Sequence, residues 1–142
     1  MKKIRELLND KGTEVWSIAP TKSVYDALAL MAEKNIGAVP VMDQDRLLGI
    51  ISERDYTRCG VLKGRTAKDT LVSDIMTSRP VCVRPEQTVD ECMALMTDKR
   101  VRHLPVVEND RVVGLISIGD VVKATISEQQ FIIKQLELYI SG

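Results

Sequence analysis

The chain has 142 residues, 44% of them hydrophobic and 28% charged, enough for one domain that buries roughly two-thirds of its unfolded surface but not for a second, independent enzyme domain. Twenty Lys and Arg offset 20 Asp and Glu, so no global field draws the protein to nucleic acid or to an anionic membrane, and any electrostatic function must be local. No apolar run approaches the roughly 20 residues that span a bilayer, and Met1-Lys2-Lys3-Ile4-Arg5-Glu6 lacks a signal-type apolar core, which leads to the expectation of a cytoplasmic protein with no membrane partner.

In chain order, Val15 to Ile18 reads as a short first strand ending at Pro20. Ser23-Val-Tyr-Asp26 has the form of a capping box. It opens a helix whose Val24, Ala27, Leu28 and Met31 recur at i, i+3, i+4 and i+7, an apolar stripe. Ala38 to Met42 and Leu47 to Ile51 are β-branched runs around the polar turn Asp43-Gln-Asp-Arg46, a hairpin whose Pro40 belongs at a strand start or an edge. A second helix is expected from Ser52. The stretch from Gly60 to Arg79 is rich in Lys, Arg, Thr and Gly and serves as a connection. Its end, Val72 to Met76, is expected to form one helical turn on the C-terminal half.

The pattern then repeats. Val81 to Val83 is a short strand before Pro85, and Thr88-Val-Asp-Glu91 caps a helix striped by Val89, Cys92, Met93 and Met96. His103 to Val107 and Val112 to Ile116 flank the turn Glu108-Asn-Asp-Arg111, and another helix is expected from Ser117. Ile126, Ile133, Leu136 and Ile140 mark a terminal helix, widened by Phe131, Ile132, Leu138 and Tyr139. That apolar surface is broader than a monomer needs and points to the twin helix of a homodimer. Cys59, Cys82 and Cys92 are odd in number and lack a Cys-x-x-Cys spacing, so neither a disulfide framework nor a zinc site is expected.

The two halves are one text written twice at an offset of 65 residues (85 − 20). Pro20 answers Pro85, Val24 answers Val89, and Ala29-Leu30-Met31 answers Ala94-Leu95-Met96. Pro40-Val41, Gly49, Ile51-Ser52 and Asp55 answer Pro105-Val106, Gly114, Ile116-Ser117 and Asp120. A repeat of this size is a supersecondary unit that buries its apolar face on its copy.

Two copies of an apolar helix, a Pro-Val strand and Gly-hydrophobic-Ile-Ser-x-x-Asp, over about residues 13 to 125, resemble the cystathionine β-synthase (CBS) domain pair, or Bateman module. The resemblance implies an α+β fold: a single module over 1–142, made of pseudo-symmetric β-α-β-β-α repeats at 13–71 and 75–133 packed through their sheets, with a C-terminal helix at 126–142. It implies a regulatory module without catalytic activity or catalytic cofactor. Such a module binds adenosine-containing effectors such as AMP, ADP, ATP, NAD(H) or S-adenosylmethionine in two clefts between the repeats, commonly dimerises, and here would signal in trans to an unidentified regulated protein.

Carried over by motif, the resemblance implies that Asp55 and Asp120 hold ribose hydroxyls. Phosphate is implied for Ser52, Arg54 and Arg58 in one corner, for Ser117 and Gly119 in the other, and for Arg102 and His103. Adenine walls are implied at Ile18, Ala19, Gly37 and Ala38 from one copy and at Val83 and Arg84 from the other. Helix N-termini with orphan N–H donors suit phosphate, and a carboxylate accepts well from a vicinal diol. The cleft holding Arg54, Arg58, Arg102 and His103 is expected to prefer more phosphate.

The same Ser-x-x-Asp pairs are capping boxes in form, a purely structural role that needs no ligand. A constitutive oligomerisation adaptor is therefore the competing reading. No Gly-rich phosphate loop, His-Glu-x-x-His helix, Cys/His metal set or nucleophile elbow is present, which argues against an enzyme. Nucleic acid is not an expected partner.

Overall fold

The computed structural model describes residues 2–12 and 14–141. Met1, Thr13 and Gly142, which bound the expected module and first repeat, lie outside the described residues. Helix α1 spans Ile4–Lys11 and α2 spans Val24–Lys34, followed by β1 at Ala38–Asp43 and β2 at Arg46–Ser52. Then come α3 at Glu53–Asp55, α4 at Val72–Ile75 and β3 at Thr77–Ser78. The second copy contributes α5 at Val89–Lys99, β4 at His103–Glu108, β5 at Arg111–Ser117 and α6 at Ile118–Ser141.

The sequence repeat is a structural repeat down to the register. β1 pairs antiparallel with β2 from Ala38–Ser52 to Asp43–Arg46, with a bulge between Val41 and Met42. β4 pairs with β5 from His103–Ser117 to Glu108–Arg111, with its bulge between Val106 and Val107. β3 adds a short third strand beside β2. Pro40 and Pro105 lie inside these strands, next to the bulges. Having no N–H, each uses only its carbonyl, which accepts from Ile18 and Val83 at 3.1 and 3.0 Å.

The expected first strands shrink to single parallel bridges, Ile18 to Val41 and Val83 to Val106. Each bridge sits where the neighbouring strand bulges and two residues before Pro20 or Pro85, which ends the run before a ladder can form. Ser23 and Thr88 do cap α2 and α5, accepting from Asp26 and Glu91 N–H at 3.1 Å.

The two cores are closed crosswise. Ile4, Leu7 and Leu8 of α1 are buried with Val89, Cys92, Met96, Leu104 and Ile116 of the second copy. Val72 and Ile75 of α4 are buried with Val24, Met31, Val39 and Ile51 of the first copy. The turn at Val72 to Met76 therefore packs on the first copy, not the second as expected, and α1, which the sequence reading left unassigned, takes the matching place on the second. Backbone bonds enforce the exchange by satisfying helix-start amides. Ile4 and Arg5 N–H donate to Gln87 and Pro85 carbonyls at 2.9 and 3.0 Å; Val72 and Ser73 N–H donate to Lys22 and Pro20 carbonyls at 2.8 and 3.1 Å. Arg5 also pairs with Glu86 and Glu108.

The copies diverge after their Ser-x-x-Asp corners. In the first, α3 passes into a π-helical turn at Tyr56–Gly60 and a 3-10 turn at Val61–Lys63, stopped at Gly64 with φ 73°. Gly60 lies under the Tyr56 ring, where an added Cβ would come within 2.7 Å. The second copy has Thr125 and Gln129 at these positions, which continue a helix at a few tenths of a kcal/mol less cost than glycine and without its backbone freedom. The helix expected from Ser117 and the terminal helix expected from residue 126 are accordingly one continuous helix, α6. Its last half carries exposed Phe131, Ile132, Ile133, Leu136, Leu138, Tyr139 and Ile140. Among the described residues, no helix is long and apolar enough to cross a membrane.

Candidate functional site

Each strand pair ends at a serine that caps the helix after it. Ser52 N–H and Oγ donate to Asp55 Oδ2 at 2.8 and 3.0 Å, and Asp55 N–H donates back to Ser52 Oγ at 3.2 Å. In the second copy, Ser117 N–H donates to Asp120 Oδ2 at 2.8 Å and Asp120 N–H to Ser117 Oγ at 3.2 Å. The capping role is thus real at both corners, and each carboxylate is fixed in place by it.

A cleft of about 270 Å³ opens beside the first corner. The first copy supplies Ile50, Ser52, Arg54, Asp55 and Arg58; the connection supplies Thr77, Arg79, Pro80 and Val81; the second copy supplies Arg100, Val101, Arg102 and His103. Ser52, Arg54, Asp55, Arg58, Arg102 and His103 are brought together as expected, across the two copies. Five arginines and one carboxylate, Asp55, line the cleft. Among the described residues, no basic side chain pairs with Asp55, so the cleft is a concentrated donor set for a polyanion with one fixed acceptor at its edge.

Arg79 and Arg100 belong to this cleft and were missed by the sequence reading. Both adopt left-handed backbone, φ 52° and 55°, and Arg100 is the C-cap of α5. The signal was available in Lys99-Arg-Val-Arg-His103: the residue ending α5 stands two before Arg102, on the same approach to β4.

His103 lies between the copies, its ring 3.6 Å from where a Cβ on Gly37 would stand. Burial pushes its pKa below the usual imidazole value; the Lys11, Arg102 and Arg54 charges add to this and Asp120 opposes it. It therefore meets any ligand as a neutral imidazole near neutral pH.

The second corner is built differently. Lys11, in the last turn of α1, donates from Nζ to Asp120 Oδ2 at 2.5 Å and to the Leu115 carbonyl at 2.6 Å. Burial alone would raise the Asp120 pKa, but the Lys11 ammonium and the Ser117 N–H and hydroxyl outweigh it and hold the carboxyl below its usual range. On one side of Lys11 lies a hollow of about 410 Å³ lined by Gly12, Glu14, Val15, Trp16, Ile36 and Leu115. On the other is one of about 320 Å³ that contains Asp120, Lys123 and Ser127. Ser117 and Gly119 line neither. Trp16 carries the Lys34 ammonium 4.0 Å from its ring centroid.

The expected adenine walls need correction. Ile18 and Val83 are buried in the two cores, because the parallel bridges to Val41 and Val106 turn them inward. Ala38 is fully buried, and Gly37 opens onto a separate hollow beside Leu28, Met31 and Glu53. Ala19 and Arg84 sit in turns, bonded to Lys22 and Gln87. The cleft walls instead fall just upstream, on Val15 and Trp16 in the second cleft and on Pro80 and Val81 in the first. Among the described residues, no group of three His, Cys, Asp or Glu side chains is placed to hold a metal ion.

Comparison with known proteins agrees with this geometry. The CBS domain family model matches residues 4–60 and 72–127, so each match begins at a crossing helix, α1 or α4. CBS domain-containing protein CBSX3, mitochondrial, of Arabidopsis thaliana is 40% identical over 148 residues, which cover 98% of this chain and 72% of that protein. The structure of a protein with CBS domains from Burkholderia ambifaria MC40-6 is 47% identical, covers 90% of this chain and 96% of its own, and superposes with a TM-score of 0.86. At 21% identity, the CBS domain pair of MJ0100 shares the fold alone, with a TM-score of 0.79 over 90% of this chain and 98% of its own; it was crystallised with 5′-methylthioadenosine and S-adenosyl-L-methionine.

Proposed function

The chain belongs to the CBS domain family as a tandem pair in one module, and on that footing we propose that it is a non-enzymatic sensor of adenosine-containing ligands that signals in trans to a partner protein. CBS pairs are regulatory modules, and the MJ0100 pair holds adenosine compounds. The single observation that carries the proposal here is the first cleft, where Asp55, fixed by Ser52 and without a basic partner among the described residues, faces Arg54, Arg58, Arg79, Arg100 and Arg102. A carboxylate accepts from a ribose diol while guanidinium forks take phosphate oxygens. This composition favours ligands with more than one phosphate, ADP, ATP or NAD(H), over AMP. The protein would act in the cytoplasm as a homodimer joined through the exposed apolar half of α6.

The test is a thermal-shift titration of ligand-stripped protein with AMP, ADP, ATP, NAD, NADH and S-adenosylmethionine. A ligand at 100 times its dissociation constant adds about 2.7 kcal/mol of stability, and Asp55→Ala should remove most of the shift. If none of the six ligands moves the melting temperature, the sensor reading falls. A second reading then takes its place, a constitutive oligomerisation adaptor, which the unpartnered surface of Phe131, Ile132, Leu136 and Tyr139 on α6 favours.

A further inference from the structure

The two corners carry the same Ser-x-x-Asp frame but differ in what stands in front of the carboxylate. Resting on the reading that Asp55 and Asp120 are the ribose acceptors, we infer that Lys11 is a resident counterion that closes the second cleft to nucleosides, so that each chain takes one nucleotide, beside Asp55.

Four observations carry this. First, the Lys11 ammonium bonds Asp120 Oδ2, the oxygen that Ser117 N–H also occupies, and the Leu115 carbonyl. A ribose diol at this carboxylate would have to compete with that ammonium, and an ammonium bound to a carboxylate is the stronger donor.

Second, Lys11 lines both hollows of the second copy. In the first copy, Asp55 and the wall at Val81 share one cleft. In the second, Asp120 lies in one hollow and the wall at Trp16 in the other, with Lys11 common to both. The side chain fills the space in which a ligand would bridge wall and corner.

Third, Lys11 is held there. It belongs to the last turn of α1, which is anchored by buried Ile4, Leu7 and Leu8 and by the Ile4 and Arg5 N–H bonds to the second copy. The helix ends immediately after it at Gly12, φ 103°. A basic residue in a last turn is also favoured by the helix dipole.

Fourth, the first copy shows the same position in the open state. The bridges Lys3–Thr88 and Ser23–Leu71 mark equivalent starts of the crossing helices, and eight residues beyond Lys3 and Leu71 stand Lys11 and Arg79. α4 stops at Ile75, and β3 pairs Thr77 and Ser78 with Ile50 and Gly49. That pairing directs the chain so that Arg79 lines the cleft without pairing with Asp55. The extra turn of α1, eight residues against four in α4, thus delivers Lys11 onto Asp120, whereas the short α4 leaves Arg79 available to a ligand.

The experiment is isothermal titration of the full chain with ATP and with AMP. Wild type should bind one nucleotide per chain, lost in Asp55→Asn. Lys11→Met, which keeps the apolar stem and removes the charge, should bind two, and adding Asp120→Asn should return it to one. Lys11→Arg, which keeps the cation, should stay at one. Two equivalents bound by wild type, or a single equivalent still bound by Lys11→Met, overturns the inference while leaving the sensor reading intact. A chain that binds nothing until Lys11 is replaced, and then binds through Asp120, supports the latch and overturns the role of Asp55. Absence of binding in both wild type and Lys11→Met overturns the sensor reading and the latch together.

Discussion

Replacing Ile4 by alanine tests the crosswise closure of the two cores, because Ile4 lies near the chain start yet is fully buried against the second copy. Truncating a buried isoleucine costs about 2–5 kcal/mol, the upper end applying where the site cannot collapse. Little collapse is available here: the Ile4 and Arg5 amides are bonded to Gln87 and Pro85 carbonyls, so the backbone of α1 cannot move in to fill the cavity. Against a typical total stability of about 5–15 kcal/mol, the loss is a large fraction. It should lower the melting temperature by roughly 5–15 °C for a domain of this size. The assay is urea unfolding combined with native-state amide exchange. Protection should fall first in β4 and β5, around Leu104 and Ile116, more than 90 residues from the mutation in sequence, while Val39 and Ile51 of the first copy keep theirs. A cost below about 1 kcal/mol, typical of a surface change, or a loss of protection centred on β1 and β2, would refute the crossed arrangement.

Other consequences can be checked with equal directness. Alanine at Gly49 would place a Cβ 2.6 Å from the Thr77 carbonyl oxygen and 2.9 Å from Met76 Sδ; since the carbonyl belongs to paired β3, denaturation should show a loss of about 1–3 kcal/mol. The equivalent Gly114→Ala meets Leu8 side-chain atoms first, the nearest at 2.5 Å; because Leu8 is buried in the second core, that core must repack and the loss should also be about 1–3 kcal/mol. His103 has a lowered pKa in the folded protein, so the unfolded chain takes up its proton first as pH falls. Its contribution to stability is complete above the ordinary value of about 6.5 and is lost as pH drops through the folded value; because it is the only histidine, His103→Gln should flatten that part of the stability profile. On α6, Leu136→Asp together with Tyr139→Asp should shift sedimentation from dimer to monomer without lowering the melting temperature of the monomeric fold, since both side chains are exposed; an unchanged sedimentation coefficient would remove α6 from the interface.

What the sequence disclosed was what recurs in it. Helices α2 and α5, both hairpins and the Ser-x-x-Asp corners were legible because the same apolar spacing and the same Pro, Gly and Asp positions appear twice, and a coincidence at one copy is checked by the other. Of the crossing helices, α4 was read as a helical turn but assigned to the wrong half and α1 was not read, since Ile4, Leu7 and Leu8 share no residue pattern with Val72 and Ile75 beyond apolar character, and nothing local tells a helix which half it will close. The merging of α6 was missed for a related reason: its continuity depends on Thr125 and Gln129 standing where the first copy has Gly60 and Gly64, a difference between copies. In the cleft, Ser52, Arg54, Asp55, Arg58, Arg102 and His103 came from motif and charge, but the walls were placed too far along the chain, because a parallel bridge of one residue turns Ile18 and Val83 inward.

The differences between the copies are concentrated where a ligand would sit, and this is how one duplicated frame comes to hold two unlike clefts. The matched strand registers and the paired capping boxes set both carboxylates in the same local geometry. Around Asp55 the variable positions are arginines drawn from three separate stretches of chain, so positive charge accumulates with no acid but Asp55 to absorb it. Around Asp120 the positions equivalent to those arginines, 65 residues away, are Gly119, Lys123, Glu14, Asn35 and Gly37, and among the described residues the cation paired with the carboxylate is Lys11. Like charges gathered in one cleft raise its local potential toward a polyanion, whereas at the second corner the Lys11 ammonium and the Asp120 carboxylate neutralise each other. A ligand can shift the packing of the copies only by as much as it prefers one arrangement over another. Under the proposed function, the first cleft, spanning both copies and the connection between them, is the one whose occupancy would make that difference.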